Sequence, residues 1–101
     1  FLHKLMKLVE ENISNSDFNN DELANLMYMS RSTFYRKLKA VTGMSGNEFI
    51  RTARLNYAVK LLESGNYSVT EAAFESGFND IKYFRKRFQE QFGVSPSEYK
   101  K

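Results

Sequence analysis

TFYRKLKAVTGMSGNEF, residues 33–49, returns 50 positions later as YFRKRFQEQFGVSPSEY, residues 83–99. The two stretches agree in character position by position: Phe34 with Phe84, Arg36 with Lys86, Lys37 with Arg87, Leu38 with Phe88. The match continues through Gly43 and Gly93, Met44 and Val94, Ser45 and Ser95, Glu48 and Glu98, and Phe49 and Tyr99. Upstream the offset falls to 49, pairing Ala24 with Ala73 and Met29 with Phe78, so one copy has one more residue before its basic helix. A duplicated unit of about 50 residues therefore organises the chain.

Periodicity and capping signals outside the repeat are helical throughout. Leu2, Leu5, Val9 and Ile13 follow helical spacing and predict a first helix over residues 1–12, with no cap at its start. Asn19, with Glu22 three residues on, predicts a short helix over 20–27, and Ser30 caps a third over 31–41 that ends at Gly43. Ser45 with Glu48 opens the longest helix, 46–63, whose expected apolar face runs Phe49, Ile50, Ala53, Tyr57, Leu61 and Leu62. Ser68 with Glu71 starts a helix over 69–76, and Asp80 caps one over 81–92. Ser95-Pro96-Ser97-Glu98 joins a capping box to a proline at the first helical position and predicts a last short helix. No segment shows the strict alternation of a strand. The expected fold is all-α, with seven helices arranged as two homeodomain-like helix-turn-helix subdomains, 1–45 and 65–101, joined by a linker helix over 46–64.

Each repeat reads as a short helix, a tight turn and a second helix with a basic face. On a helical wheel Phe34, Leu38 and Val41 share one side of the first basic helix, while Ser32, Arg36 and Lys39 point the opposite way with Tyr35 on the flank. In the second, Phe84 and Phe88 mark the inner side, and Lys82, Lys86 and Gln89 face outward with Arg85 beside them.

The net charge of +3 over 101 residues conceals segregation. Residues 31–60 carry seven Lys or Arg against one acid and residues 82–101 six against two, whereas 1–30 and 61–81 are acidic. Positive charge sits in the repeated segments, as a polyanion partner requires. Arg or Lys can donate to guanine O6 and N7, Gln can pair with adenine, and a Tyr ring can touch a thymine methyl in a major groove that admits an α-helix. Lys37, Lys39, Tyr83 and Arg87 are assigned to phosphates, Lys37, Tyr83 and Arg87 because they lie off the groove-facing line.

Other classes find little support. Cysteine is absent, and the single His3 has no neighbouring ligand cluster, which argues against a zinc site. There is no Gly-rich phosphate loop and no nucleophile–base constellation, so an enzyme and a cofactor are not expected. No apolar run reaches eighteen residues. A helical protein-interaction module is the remaining alternative, since amphipathic helices and nine phenylalanines also build adaptor surfaces. It does not predict two outward basic stripes.

Nearly the whole chain resembles the DNA-binding domain of the AraC/XylS transcription regulators. The most specific part is GFNDIKYFRKRFQEQFGVSPSEYK, residues 77–100. MSRSTFYRKLKAVTGMSGNEFIRTARLNYAVKLL, residues 29–62, further resembles the effector domain at the C-terminal end of hybrid two-component regulators of Bacteroidetes. The resemblance implies base reading by Arg31, Ser32, Tyr35 and Arg36 in the first recognition helix and by Ile81, Lys82, Arg85 and Lys86 in the second. It also implies a cytoplasmic domain, monomeric in isolation, without a small-molecule ligand. Its implied partners are double-stranded DNA, RNA polymerase, and the sensor and receiver domains of a longer, membrane-anchored chain. Two positions depart from the pattern: Tyr28 stands where a turn glycine is common, which predicts a strained or wider first turn, and Ala72 replaces a larger aliphatic residue. Adjacent major grooves recur about every 34 Å, whereas the linker helix spans about 25 Å. Engaging both grooves is therefore expected to bend the duplex, at a cost of about 1–6 kcal/mol, or else one unit sits mainly on the backbone.

Overall fold

Seven helices and no strand form among the described residues, 1–100, of the computed structural model. Lys101, the last position of the expected second subdomain, lies outside the described residues. The helices are α1 (Leu2–Glu11), α2 (Asn20–Leu26), α3 (Arg31–Thr42), α4 (Gly46–Ser64), α5 (Val69–Glu75), α6 (Ile81–Phe92) and α7 (Pro96–Tyr99). None is long and apolar enough to cross a membrane.

The starts follow the capping chemistry. Asn19 Oδ1 accepts from the Glu22 amide, Ser30 Oγ from Thr33 and Asp80 Oδ1 from Tyr83. Ser45 and Glu48, and again Ser68 and Glu71, exchange reciprocal bonds between side chain and backbone. Accepting those amide bonds holds the Glu48 and Glu71 carboxyls below their ordinary pKa. The start of α7 differs from expectation. Ser95 makes no capping bond; its Oγ lies 3.0 Å from Ser97 Oγ, and the four-residue helix begins on the buried Pro96 and a Glu98 N–H bond to the Ser95 carbonyl.

The chain divides into two compact units. Residues 1–13 and 17–53 form the first, and residues 14–16 join Arg54 and all that follows to form the second. Helix α4, expected as a separate linker, is shared between them. This corrects its expected apolar face. Phe49 and Ile50 are buried with the first unit, while Leu55, Ala58 and Leu62 are buried in the second and Ala53, Tyr57 and Leu61 are only partly covered. A helix serving two cores does not need one continuous stripe, so a single-face reading misses Leu55 and Ala58.

In the first unit α1 packs on α2 and α2 on α3. Leu5, Val9, Leu23, Ala24, Phe34 and Leu38 are wholly buried. Val41, expected inside, is exposed: it lies in the last turn of α3, where helical phase alone does not secure a packing partner. In the second unit α5 packs on α6 and α6 on α7 around an aromatic chain. Ring centroids stand 5.0 Å apart for Phe78–Phe84, 5.6 Å for Phe84–Phe88 and 4.6 Å for Phe88–Phe92, with Tyr99 5.5 Å from Phe88. Ser76 is wholly buried, a placement its polarity does not announce, and its hydroxyl donates to the Ala72 and Ala73 carbonyls.

The two helix-turn junctions are copies. Met29 N–H bonds to the Ala24 carbonyl at 3.1 Å, and Phe78 N–H bonds to the Ala73 carbonyl at 3.0 Å. Between them stands a residue in the left-handed region: Gly77 at φ 95° in the second unit, Tyr28 at φ 57° in the first. Only glycine adopts this conformation without a Cβ penalty. Tyr28 is 89% exposed, so burial does not offset its strain; its ring lies beneath Lys4 Nζ, 5.1 Å from the centroid. Tyr28→Gly is therefore expected to stabilise the chain by up to about 1 kcal/mol, and Gly77→Ala to destabilise it by about 1 kcal/mol or more. Urea unfolding of both variants checks this. A Tyr28→Gly protein less stable than its parent would contradict it.

Candidate nucleic-acid interface

The recognition elements follow from the wheel. In α3 the Phe34 and Leu38 side chains enter the core, as do Phe84 and Phe88 in α6, and burial of this stripe fixes which way the rest must point. Ser32, Arg36 and Lys39 are exposed on α3; Lys82, Arg85, Lys86 and Gln89 are exposed on α6. Arg36, Lys82, Arg85 and Lys86 make no hydrogen bond or ion pair with any described residue. Four cations are thus held on two rigid helices with their donors unspent.

The remaining candidates are engaged within the molecule. Arg31 has a 72% exposed side chain, and its Nε lies 3.5 Å from Asp21 Oδ1. The half-buried Tyr35 donates its hydroxyl to the same carboxylate oxygen. That bond, then partial burial, raises the Tyr35 pKa above its ordinary value. Lys39 Nζ donates to the Gly43 carbonyl at 3.0 Å, closing the end of α3. Lys37 Nζ sits 4.8 Å from the centre of the Phe1 ring, and at the matching position the Arg87 guanidinium lies 5.3 Å from that of Tyr83. Arg87 also approaches Glu90 at 3.6 Å, and its Nε is shielded from water with no hydrogen-bond partner. Ile81 is half-buried and packs on the aromatic core, leaving only part of its side chain for a ligand.

Three features escape a sequence reading because they are tertiary. Asp21 holds two candidate readers at once. Asn20 Nδ2 donates to Asn47 Oδ1 at 2.7 Å, and a Cβ on Gly46 would stand 2.6 Å from Asn20 Cγ, so a larger residue at the start of α4 would displace the Asn20 side chain. Arg54 is half-buried and donates to the Asn15 carbonyl at 2.8 Å; burial lowers its pKa. Nothing in the spacing of these residues signals the contacts.

This arrangement can present hydrogen-bond donors to base edges and cations to phosphates; no group of three or more His, Cys, Asp or Glu among the described residues could hold a metal ion.

Known proteins share both sequence and fold. The profile of a helix-turn-helix domain matches residues 23–101. A protein of Formosa agariphila described as histidine kinase P4 is 38% identical over 98 residues, 97% of this chain but 7% of that protein. Among solved structures, the DNA-binding domain of AdpA in complex with a target DNA superposes with a TM-score of 0.87 at 35% identity, covering 97% of this chain and 87% of that one. A Chromobacterium violaceum regulator described as containing an AraC-type DNA-binding domain superposes with a TM-score of 0.89 at 26% identity, with 97% and 87% covered. The chain spans about a third of curated regulators such as MtrA of Neisseria gonorrhoeae, 32% of whose length it covers. With two copied helix-turn-helix units, seven helices and these relatives, the chain belongs to the AraC family of helix-turn-helix DNA-binding domains.

Proposed function

We propose that the chain binds double-stranded DNA sequence-specifically as the output domain of a bacterial transcription regulator, with α3 and α6 each entering a major groove. The observation that carries this is the pair of matched outward stripes, in which Arg36, Lys82, Arg85 and Lys86 make no hydrogen bond or ion pair with any described residue while the opposite stripes are apolar core. Unspent donors on a buried-backed helix are what direct readout needs.

In this reading Arg31, Ser32, Tyr35 and Arg36 read bases from α3, and Lys82, Arg85 and Lys86 from α6, with the exposed part of Ile81 contributing van der Waals contact. Lys37, Lys39, Tyr83 and Arg87 position the backbone. Three of these four already have contacts that restrain a cation beside the helix, which suits charge neutralisation better than base selection. The likeness to the Formosa kinase supports a place in a hybrid regulator, where sensor and receiver domains share the chain and RNA polymerase receives the output. Access to DNA then places the domain on the cytoplasmic side.

Titration of a fluorescent duplex against salt tests the assignment. Log K is expected to fall linearly with log salt, by about 0.9 for each phosphate neutralised. Selection from a random duplex pool should return a defined site. Salt-independent binding, or recovery of no preferred sequence, would favour a protein-interaction module instead.

A further inference from the structure

We propose that Asp21 is a positioning residue for DNA recognition: one carboxylate at the start of α2 holds both Arg31 and Tyr35 of α3 in the orientation in which they meet base edges. This rests on the reading of α3 as a recognition helix.

Arg31 and Tyr35 are one helical turn apart, and both converge on Asp21 Oδ1. The contact with Arg31 uses Nε and leaves the terminal guanidinium nitrogens free, enough for the two-donor pairing with guanine O6 and N7. The Tyr35 hydroxyl is the donor in its bond to Asp21, so the ring is steered by its far end while its edge remains available to a thymine methyl. The raised pKa of Tyr35, caused first by this bond, agrees with a neutral hydroxyl committed to the carboxylate.

Comparison of the two units isolates the device. At the matching repeat positions the second unit has Thr70 for Asp21, Ile81 for Arg31 and Arg85 for Tyr35. The three partners occur together in one unit and are absent together from the other. Among the described residues, no carboxylate holds Arg85 or Lys86 of the second unit. A carboxylate facing DNA also repels phosphate, so it weakens plain affinity. Its gain is selectivity: side chains restrained before binding lose less freedom on meeting their bases.

The test uses the intact chain and its selected duplex, with single base-pair changes beneath each recognition helix located from the Arg31→Ala and Arg85→Ala profiles. Asp21→Ala is expected to reduce discrimination at the pairs read by the first unit by about threefold to tenfold. Discrimination beneath the second unit should stay at the parent value, and affinity for unrelated duplex should be unchanged or tighter. Asp21→Asn, which keeps an acceptor for Tyr35 but removes the charge facing Arg31, should fall between the two and retains the fold if the alanine variant does not. In an Arg31→Ala, Tyr35→Phe background, Asp21→Ala should change discrimination no further. Unaltered discrimination in both Asp21 variants, an even loss across all duplexes, or an equal loss in the double-variant background would each overturn the proposal. A parent chain with no base preference at all would instead remove the reading on which it rests.

Discussion

Phe84→Ala is expected to destabilise the second unit by about 3–5 kcal/mol, the largest effect of any single truncation considered. Phe84 is wholly buried, and its ring lies between those of Phe78 and Phe88 at centroid separations of 5.0 and 5.6 Å. Removing it leaves a cavity lined by aromatic faces that cannot collapse without moving α6, the helix that carries Lys82, Arg85 and Lys86. Native domains have a net stability of only about 5–15 kcal/mol, so the variant should unfold at much lower urea and lose DNA binding with it. Phe74→Ala is the internal control: that ring is 49% exposed, and its loss should stay within about 0.5 kcal/mol. Equal urea midpoints for the two variants would show that the aromatic chain does not hold the second unit together.

Arg36→Ala and Arg85→Ala are each expected to weaken binding to the selected duplex by about 1–3 kcal/mol and to relax preference at one base pair. Both guanidinium groups are exposed and have no hydrogen-bond or ion-pair partner among the described residues, so the effect should fall on binding and leave thermal stability near the parent value. Lys37→Ala should behave differently. Its ammonium rests over Phe1 beside the helix, and its removal should weaken all sequences alike and reduce the salt slope by about one phosphate's worth. Competition titrations with point-changed duplexes separate the two patterns. A uniform loss for all three variants would erase the division between readers and positioners.

Most of the fold was legible because duplication and capping act locally. Ser30, Ser45, Ser68 and Asp80 bond to amides three residues on, so their helix starts can be located without tertiary information. Tyr28 stands where the resemblance puts a turn glycine, and the strain expected there takes the form of a left-handed backbone at φ 57°. What escaped depends on neighbours distant in sequence. Val41 keeps the helical phase of the core but is exposed in the last turn of α3, and Leu55 and Ala58 are buried because α4 passes from one core to another. Ser95 has the sequence of a cap, yet its hydroxyl meets Ser97 instead. At the interface, the wheel located the exposed cations Arg36, Lys82, Arg85 and Lys86. It could not show that Arg31 and Tyr35 share Asp21, or that Ile81 leans into the core, because both are contacts with another helix or with the packed interior.

Dimethyl sulfate probing of guanine N7 on the selected duplex tests most directly whether both helices read a major groove. Two separate patches of protection are expected with the parent chain, one lost in Arg36→Ala and the other in Arg85→Ala. Guanines left fully reactive beneath the bound chain, or both patches vanishing together in either variant, would contradict the account.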